Sequence, residues 1–201
     1  MATKGPGASH GKWKVLESKY AIADPWIRLR SDTMLLPNGR ILSPCHIFEH
    51  PDWVDVIALT DELNVVLVDQ YRHAVGQMRT EFPAGVVDNE SEEPLAAIKR
   101  ELLEETGYTS EEWHLIGTAP VNPALQTNRV HSFLALGARK VAEQDLDEGE
   151  AIRTRELPLS EFIDKVGSGD IELPALQLAS LFWLWTYLRK SADPRFALLR
   201  P

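Results

Sequence analysis

The chain is 201 residues long, with 44% apolar and 25% charged residues and a formal net charge of −9. This length bounds it to one domain, or one domain with a small appendage, and the apolar share supplies an ordinary core. The acidic balance excludes non-specific binding to nucleic acid or to an anionic membrane, both of which need basic patches; the single cysteine, Cys45, excludes an internal disulfide and suits a reducing, cytoplasmic setting.

Residues 1–11 are rich in Gly, Ser and Lys, include Pro6, and carry no apolar core of a secretory signal, so a disordered tail is expected. Residues 12–50 read as a small antiparallel β-sheet subdomain. Trp13-Lys14-Val15-Leu16 and Trp26-Ile27-Arg28-Leu29-Arg30 alternate apolar and polar side chains, as half-buried strands do. Between the strands, Leu36-Pro37-Asn38-Gly39-Arg40 is a hairpin signal with Asn-Gly at the tip. Open edges and several aromatics suit such a sheet to packing on a second copy of the chain. Trp26 and Trp53 are read first as core, with stacking on a nucleobase as the alternative.

Residues 51–190 form the main domain and residues 191–201 a loose C-terminal tail. Trp53 to Ala58 and Asn64 to Asp69 are buried strands joined by the turn Thr60-Asp61-Glu62. Gln70-Tyr71-Arg72-His73 follows, then Arg79 and Glu81. Guanidinium groups suit bidentate phosphate contacts, and two of them stand close together here in an acidic chain; surface ion pairing is the plainer alternative. His73 is read as a structural hydrogen bonder.

After the tight turn Pro83-Ala84-Gly85, a helix is expected from Pro94 to the stop signal Gly107. Leu95, Ile98 and Leu102 share one stripe of it, and Glu101, Glu104 and Glu105 share another. Each like-charged pair costs only roughly 0.2–0.5 kcal/mol on an exposed helix, so a solvated acidic face and a site for a hard divalent cation are both open readings.

From Gly85 to Tyr108 the run resembles the Nudix box. That box reads Gly, five residues, Glu, seven residues, Arg-Glu, an aliphatic residue, any residue, Glu-Glu, any residue, Gly and an aliphatic residue. Glu92 and Arg100-Glu101-Leu102-Leu103-Glu104-Glu105-Thr106-Gly107 fit the pattern. Six residues rather than five separate Gly85 from Glu92, and Tyr108 replaces the final aliphatic residue. With Gln70-Tyr71-Arg72 and Glu81-Phe82-Pro83-Ala84-Gly85, the resemblance extends to the ADP-ribose pyrophosphatase and nucleotide-sugar hydrolase branch.

The resemblance implies a Nudix α/β/α sandwich with a mixed sheet, plus the small N-terminal antiparallel β-sheet, which in that branch exchanges across a homodimer. It implies cleavage of the diphosphate bond of ADP-ribose or a related nucleoside diphosphate sugar. Mg²⁺, with Mn²⁺ able to substitute, would be held by Glu101, Glu104, Glu105 and the Ala84 carbonyl, with Arg100 orienting the glutamates. Bound there, the ion would neutralise substrate charge and lower the pKa of a water. Arg72, Arg79 and Glu81 would contact substrate. Another nucleoside diphosphate derivative (a dinucleoside polyphosphate, NADH or a nucleoside triphosphate) is an alternative substrate. A non-catalytic ligand sensor is a third reading, against which the intact glutamates count.

Beyond the box, Glu112 to Ile116 leads into a strand, Pro120 to Asn128 is a loop and Val130 to Leu136 is a strand containing a half-buried His131. Residues 140–150 are acidic and aperiodic, as a mobile surface loop is. The resemblance gives this segment the general base: Glu148 first, Glu150 second. Ser160 is expected to cap a helix over 161–166, broken by Gly167-Ser168-Gly169. Pro174 starts a last helix that is apolar on more than one side, either core or subunit contact.

Overall fold

The computed structural model describes residues 11–25, 27–88 and 91–196. The expectations for the tail before Gly11, for Trp26 and for the chain end from 197 onward lie outside the described residues. The described chain divides into two compact units: the residues up to His50 together with Pro120–Asn128, and Pro51–Ala119 together with the residues from Arg129 onward.

In the first unit, β1 (Lys14–Ala23), β2 (Arg28–Leu35) and β3 (Ile41–Glu49) form an antiparallel sheet in the order β1-β2-β3. The expected Asn-Gly turn joins β2 to β3. Gly39 sits at φ 79°, where any side chain is strained, and the Asn38 Oδ1 accepts the Arg40 N–H at 3.0 Å. Phe48 ties the segment 120–128 to this unit: its N–H donates to the Leu125 carbonyl at 2.8 Å, and its carbonyl accepts from Thr127 at 3.1 Å. The sequence assigns that segment to the main domain, because a local reading cannot register a pairing across some eighty residues. β1 is exposed along its whole length.

The second unit contains β4 (Trp53–Leu59), β5 (Asn64–Arg72), β6 (Gln77–Glu81), β7 (Ala84–Val86), α1 (Pro94–Thr106), β8 (Tyr108–Thr109), β9 (Glu112–Pro120), β10 (Arg129–Leu136), β11 (Arg139–Lys140), β12 (Ile152–Pro158), α2 (Leu159–Ser168) and α3 (Ala175–Lys190). Its main sheet runs β12-β5-β4-β10-β9, with β6 added on β5 and β7 on β4. β4 and β10 are parallel, whereas β4 pairs antiparallel with both β5 and β7, so the sheet is mixed. Along β4 alternate residues serve opposite faces. Val54, Val56 and Ala58 pack on Ala97, Ile98 and Leu102 of α1; Ile57 and Leu59 pack on Leu159 and Phe162 of α2 and Leu184 and Leu188 of α3. The result is the expected α/β/α sandwich.

Several expectations are corrected in detail. Leu95 is 38% exposed, and Ala97 joins Ile98 and Leu102 instead, because the buried stripe also carries Glu105 and its centre is turned away from Leu95. α2 begins at Leu159 rather than after a Ser160 cap, since Leu159 is itself buried and Pro158 stands at the N-cap position. α2 also runs through Gly167 and stops only at Gly169, whose φ of 86° is the left-handed C-cap. Residues up to Phe196 are not loose: Phe196 is fully buried, and Arg195 donates to Glu112 at 2.9 Å. Residues 140–145 are pinned rather than mobile, because Val141 N–H donates to the Gly107 carbonyl at 2.8 Å and Asp145 N–H to the Glu104 carbonyl at 2.9 Å. His73 contributes through its carbonyl, which accepts from Gly76 at 3.2 Å, and its ring stays exposed. No helix among the described residues is long and apolar enough to cross a membrane.

Candidate active site

A cleft of about 740 Å³ opens beside β4, β6, β7 and the start of α3. Arg72, Arg79, Glu81 and Ala84 all line it, as do Trp53 and Asp55. β5 and β6 pair directly across this region, with Gln70 opposite Arg79 and Val68 opposite Glu81. Glu81 is 4% exposed and clamps Arg72, accepting from Nη2 at 2.6 Å and from Nε at 3.1 Å. Arg79 pairs with Glu172, a partner that is itself largely exposed. Both guanidinium groups are thus held at the cleft wall, and the one paired with the exposed carboxylate is the easier to redirect onto a ligand.

The turn after Glu81 is fixed from both sides. Gln177, buried on α3, accepts the Phe82 N–H at 2.8 Å and donates to the Phe82 carbonyl at 3.1 Å. Ala84 N–H donates to Glu105 Oε2 at 3.0 Å. A Cβ at Gly85 would lie 2.2 Å from the Glu101 carboxylate, so a larger residue there displaces that side chain. β7 therefore carries Ala84 and Gly85 from the cleft wall directly onto the acidic face of α1.

That face is electrostatically loaded. Burial pushes the Glu105 carboxyl up to about 8; the Ala84 N–H and Arg72 oppose the rise, while Glu101 and Glu150 add to it. Burial also raises Glu101, with Arg100 opposing and Glu104 and Glu150 adding to the rise. Arg100 Nη1 lies 2.9 Å from Glu101 and 3.1 Å from Glu104, and Arg100 Nη2 lies 3.1 Å from Asp88. Arg100 thus orients the glutamates by ion pairing. Among the described residues, no group of three or more His, Cys, Asp or Glu side chains is already arranged around a metal position.

In the late loop Glu148 and Glu150 differ. Glu148 sits exposed in a turn. Glu150 is half-buried, its Oε2 accepts the Asp147 N–H at 3.2 Å, and its charge is felt by Glu101, Glu105 and Arg72. Of the two sequence nominees Glu150, the second, is the one whose charge reaches the acidic face.

Asp55 escapes a pattern-based reading because its neighbours Val54, Val56 and Ile57 mark β4 simply as a buried strand. The signal was the single carboxylate inside that apolar run. Asp55 is 2% exposed; its Oδ2 accepts the Ser180 hydroxyl at 2.8 Å, and Ser132 Oγ lies 2.9 Å from Ser180 Oγ. Its Oδ1 has no hydrogen-bond partner among the described residues. Burial pushes this carboxyl up to about 6, against the pull of Ser132 and Ser180. A folded-state pKa above the unfolded one stabilises fully below the unfolded value, and that stability is lost as pH rises through the folded value. Asp55→Asn should therefore gain stability over the parent increasingly as pH rises from about 4 to about 7, by on the order of 2–3 kcal/mol in all. Urea unfolding in the presence of a chelator reads this difference, and a margin independent of pH would show that the buried carboxylate does not titrate as described.

His131 keeps a structural place on β10, its Nε2 lying 2.9 Å from Asp52.

Comparison with known proteins places these features in context. Residues 49–176 match the family model "NUDIX domain", and residues 13–44 match "Nucleoside diphosphate sugar hydrolase N-terminal domain". The chain is 33% identical over 159 residues to an ADP-ribose pyrophosphatase of Bacillus subtilis, covering 79% of this chain and 85% of that protein. It is 32% identical over 154 residues to a methanol dehydrogenase activator of Bacillus methanolicus, covering 76% of this chain and 82% of that one. A crystal structure of an ADP compounds hydrolase superposes with a TM-score of 0.77 at 19% identity, covering 90% of this chain and 96% of that one.

Proposed function

Because this chain belongs to the Nudix family, we propose that it hydrolyses the diphosphate bond of ADP-ribose or a related nucleoside diphosphate sugar, releasing a nucleoside monophosphate and a sugar phosphate. The observation that carries this reading is the joining of two half-sites by one turn. Arg72 and Arg79 line the cleft, and Ala84-Gly85 leads from the cleft to Glu101 and Glu105.

Nudix hydrolases generally act with a divalent metal ion, and the residues present fit one. Burial and like charge raise both the buried Glu105 and the half-buried Glu101, a hard cation relieves that cost, and glutamate oxygens with a backbone carbonyl are its preferred ligands. We assign Glu101, Glu104, Glu105 and the Ala84 carbonyl to Mg²⁺, which supplies charge neutralisation and an acidified water when bound. Arg100 pairs with Glu101 and Glu104 and orients them. Arg72, held by Glu81, and Arg79 orient the diphosphate bidentately. Glu150, with Glu148 as the alternative, accepts the proton of the attacking water.

The test is a release assay over nucleotide sugars, dinucleotides and triphosphates, with and without Mg²⁺. The reading predicts Mg²⁺-dependent release from nucleoside diphosphate sugars above the other classes. Preference for triphosphates or dinucleotides would replace the substrate, and silence across the panel would favour a sensor.

Two copies are proposed to associate through the N-terminal sheet, on which Val15, Tyr20, Ile22 and Ile41 are exposed. Analytical ultracentrifugation should give a dimer for the full chain, and a strict monomer at micromolar concentration would remove this assignment. The acidic charge and lone cysteine support a cytoplasmic enzyme without nucleic-acid or membrane partners.

A further inference from the structure

Among the residues lining the cleft, Asp55 has no part in the reaction described above, and its Oδ1 is a buried acceptor. Where Asp55 lines it, the neighbouring wall is apolar: Leu173, Pro174, Leu176 and Val130. Asp55 stands directly opposite Ala84 in the β4–β7 pairing, one strand from the turn that meets the acidic helix. Its carboxylate cannot swing freely. Ser180 donates to Asp55 Oδ2 at 2.8 Å and lies 2.9 Å from Ser132, which also pulls on the carboxylate. The two hydroxyls hold the carboxylate in place, and Oδ1 is left without a partner among the described residues. A buried acceptor in this condition costs free energy that a hydrogen-bond donor would recover.

We propose that Asp55 is a specificity-determining residue, whose Oδ1 accepts a hydrogen bond from a neutral O–H or N–H group of the substrate. A phosphate is excluded from this position, because it would meet a carboxylate of the same sign while Arg72 and Arg79 offer it positive charge elsewhere in the cleft. The donor is therefore a hydroxyl of a sugar or the exocyclic amine of a base. A site built to pair a donor rejects the analogue lacking it, since the buried acceptor is then stranded. The inference rests on the proposed nucleoside diphosphate sugar reaction.

The experiment compares ADP-ribose, its deoxyribose analogues and its hypoxanthine analogue, reading both calorimetric affinity and kcat/KM with the full chain and Mg²⁺. The parent should prefer ADP-ribose over one analogue by at least about tenfold. Failure of a deoxy analogue identifies a sugar hydroxyl, and failure of the hypoxanthine analogue identifies the base amine. Asp55→Asn keeps an oxygen for Ser180 but turns an NH₂ toward the donor, so the preference should collapse to within about twofold. Equal affinity of the parent for all the compounds overturns the proposal without any variant, as does a preference that survives in Asp55→Asn. Binding with discrimination but no cleavage would uphold Asp55 while removing the catalytic reading. Failure to bind any of the compounds would overturn both.

Discussion

Glu105→Gln should lower kcat by roughly 10²–10⁴-fold, the loss expected when several kcal/mol of charge stabilisation in the transition state is removed. Glu105 is the most deeply buried carboxylate of the acidic face and the one most strongly pushed toward protonation. Glutamine keeps the oxygen that accepts the Ala84 N–H, so the turn stays anchored. It also removes a charge that burial disfavours, so the melting temperature should hold or rise. Loss of turnover in a fully folded variant separates chemistry from architecture. Near-full activity with Mg²⁺ would mean that the metal assignment is wrong.

Glu150→Gln should reduce kcat by roughly 10²–10⁴-fold with little change in KM, as loss of a general base does, whereas Glu148→Gln should stay close to the parent. The two side chains are two residues apart in one turn, and composition does not distinguish them. The structure does: Glu150 is half-buried and loads Glu101 and Glu105 electrostatically, while Glu148 is exposed. Steady-state kinetics of the two variants side by side decide the matter. The reverse pattern would restore Glu148, and two unchanged variants would move the base into the helix itself.

The helix from Pro94 to Gly107 was legible because Pro, Gly and the paired glutamates each impose a local constraint that tertiary packing only reinforces. The buried strands were legible for a similar reason, as runs of apolar β-formers between turn residues. What escaped depends on contacts far apart in the chain. Leu95 fits the helical period, but the buried stripe is decided by what the sheet offers, and it takes Ala97 and Glu105. The acidic segment 140–150 has no periodicity, and residues 141–145 are ordered by backbone bonds to the end of α1. Polar residues were the hardest to place. Gln177 and Ser180 lie on the same stripe of α3 as Leu184 and Leu188, with the sheet on that side, while Leu178, Phe182 and Trp185 remain exposed. A reading that assigns apolar residues inward places this helix backwards along its first half. The inward polar residues instead clamp Phe82 and hold Asp55, and both partners border the cleft.

The central claim is that the acidic face of α1 and the arginine-lined cleft act as one site on a diphosphate. Phosphorus NMR of ADP-ribose incubated with the purified chain tests it most directly, with Mg²⁺ and again with excess chelator. The account predicts AMP and ribose 5-phosphate with the metal and intact ADP-ribose without it. Cleavage that persists in chelator, or different phosphorus products, would contradict it.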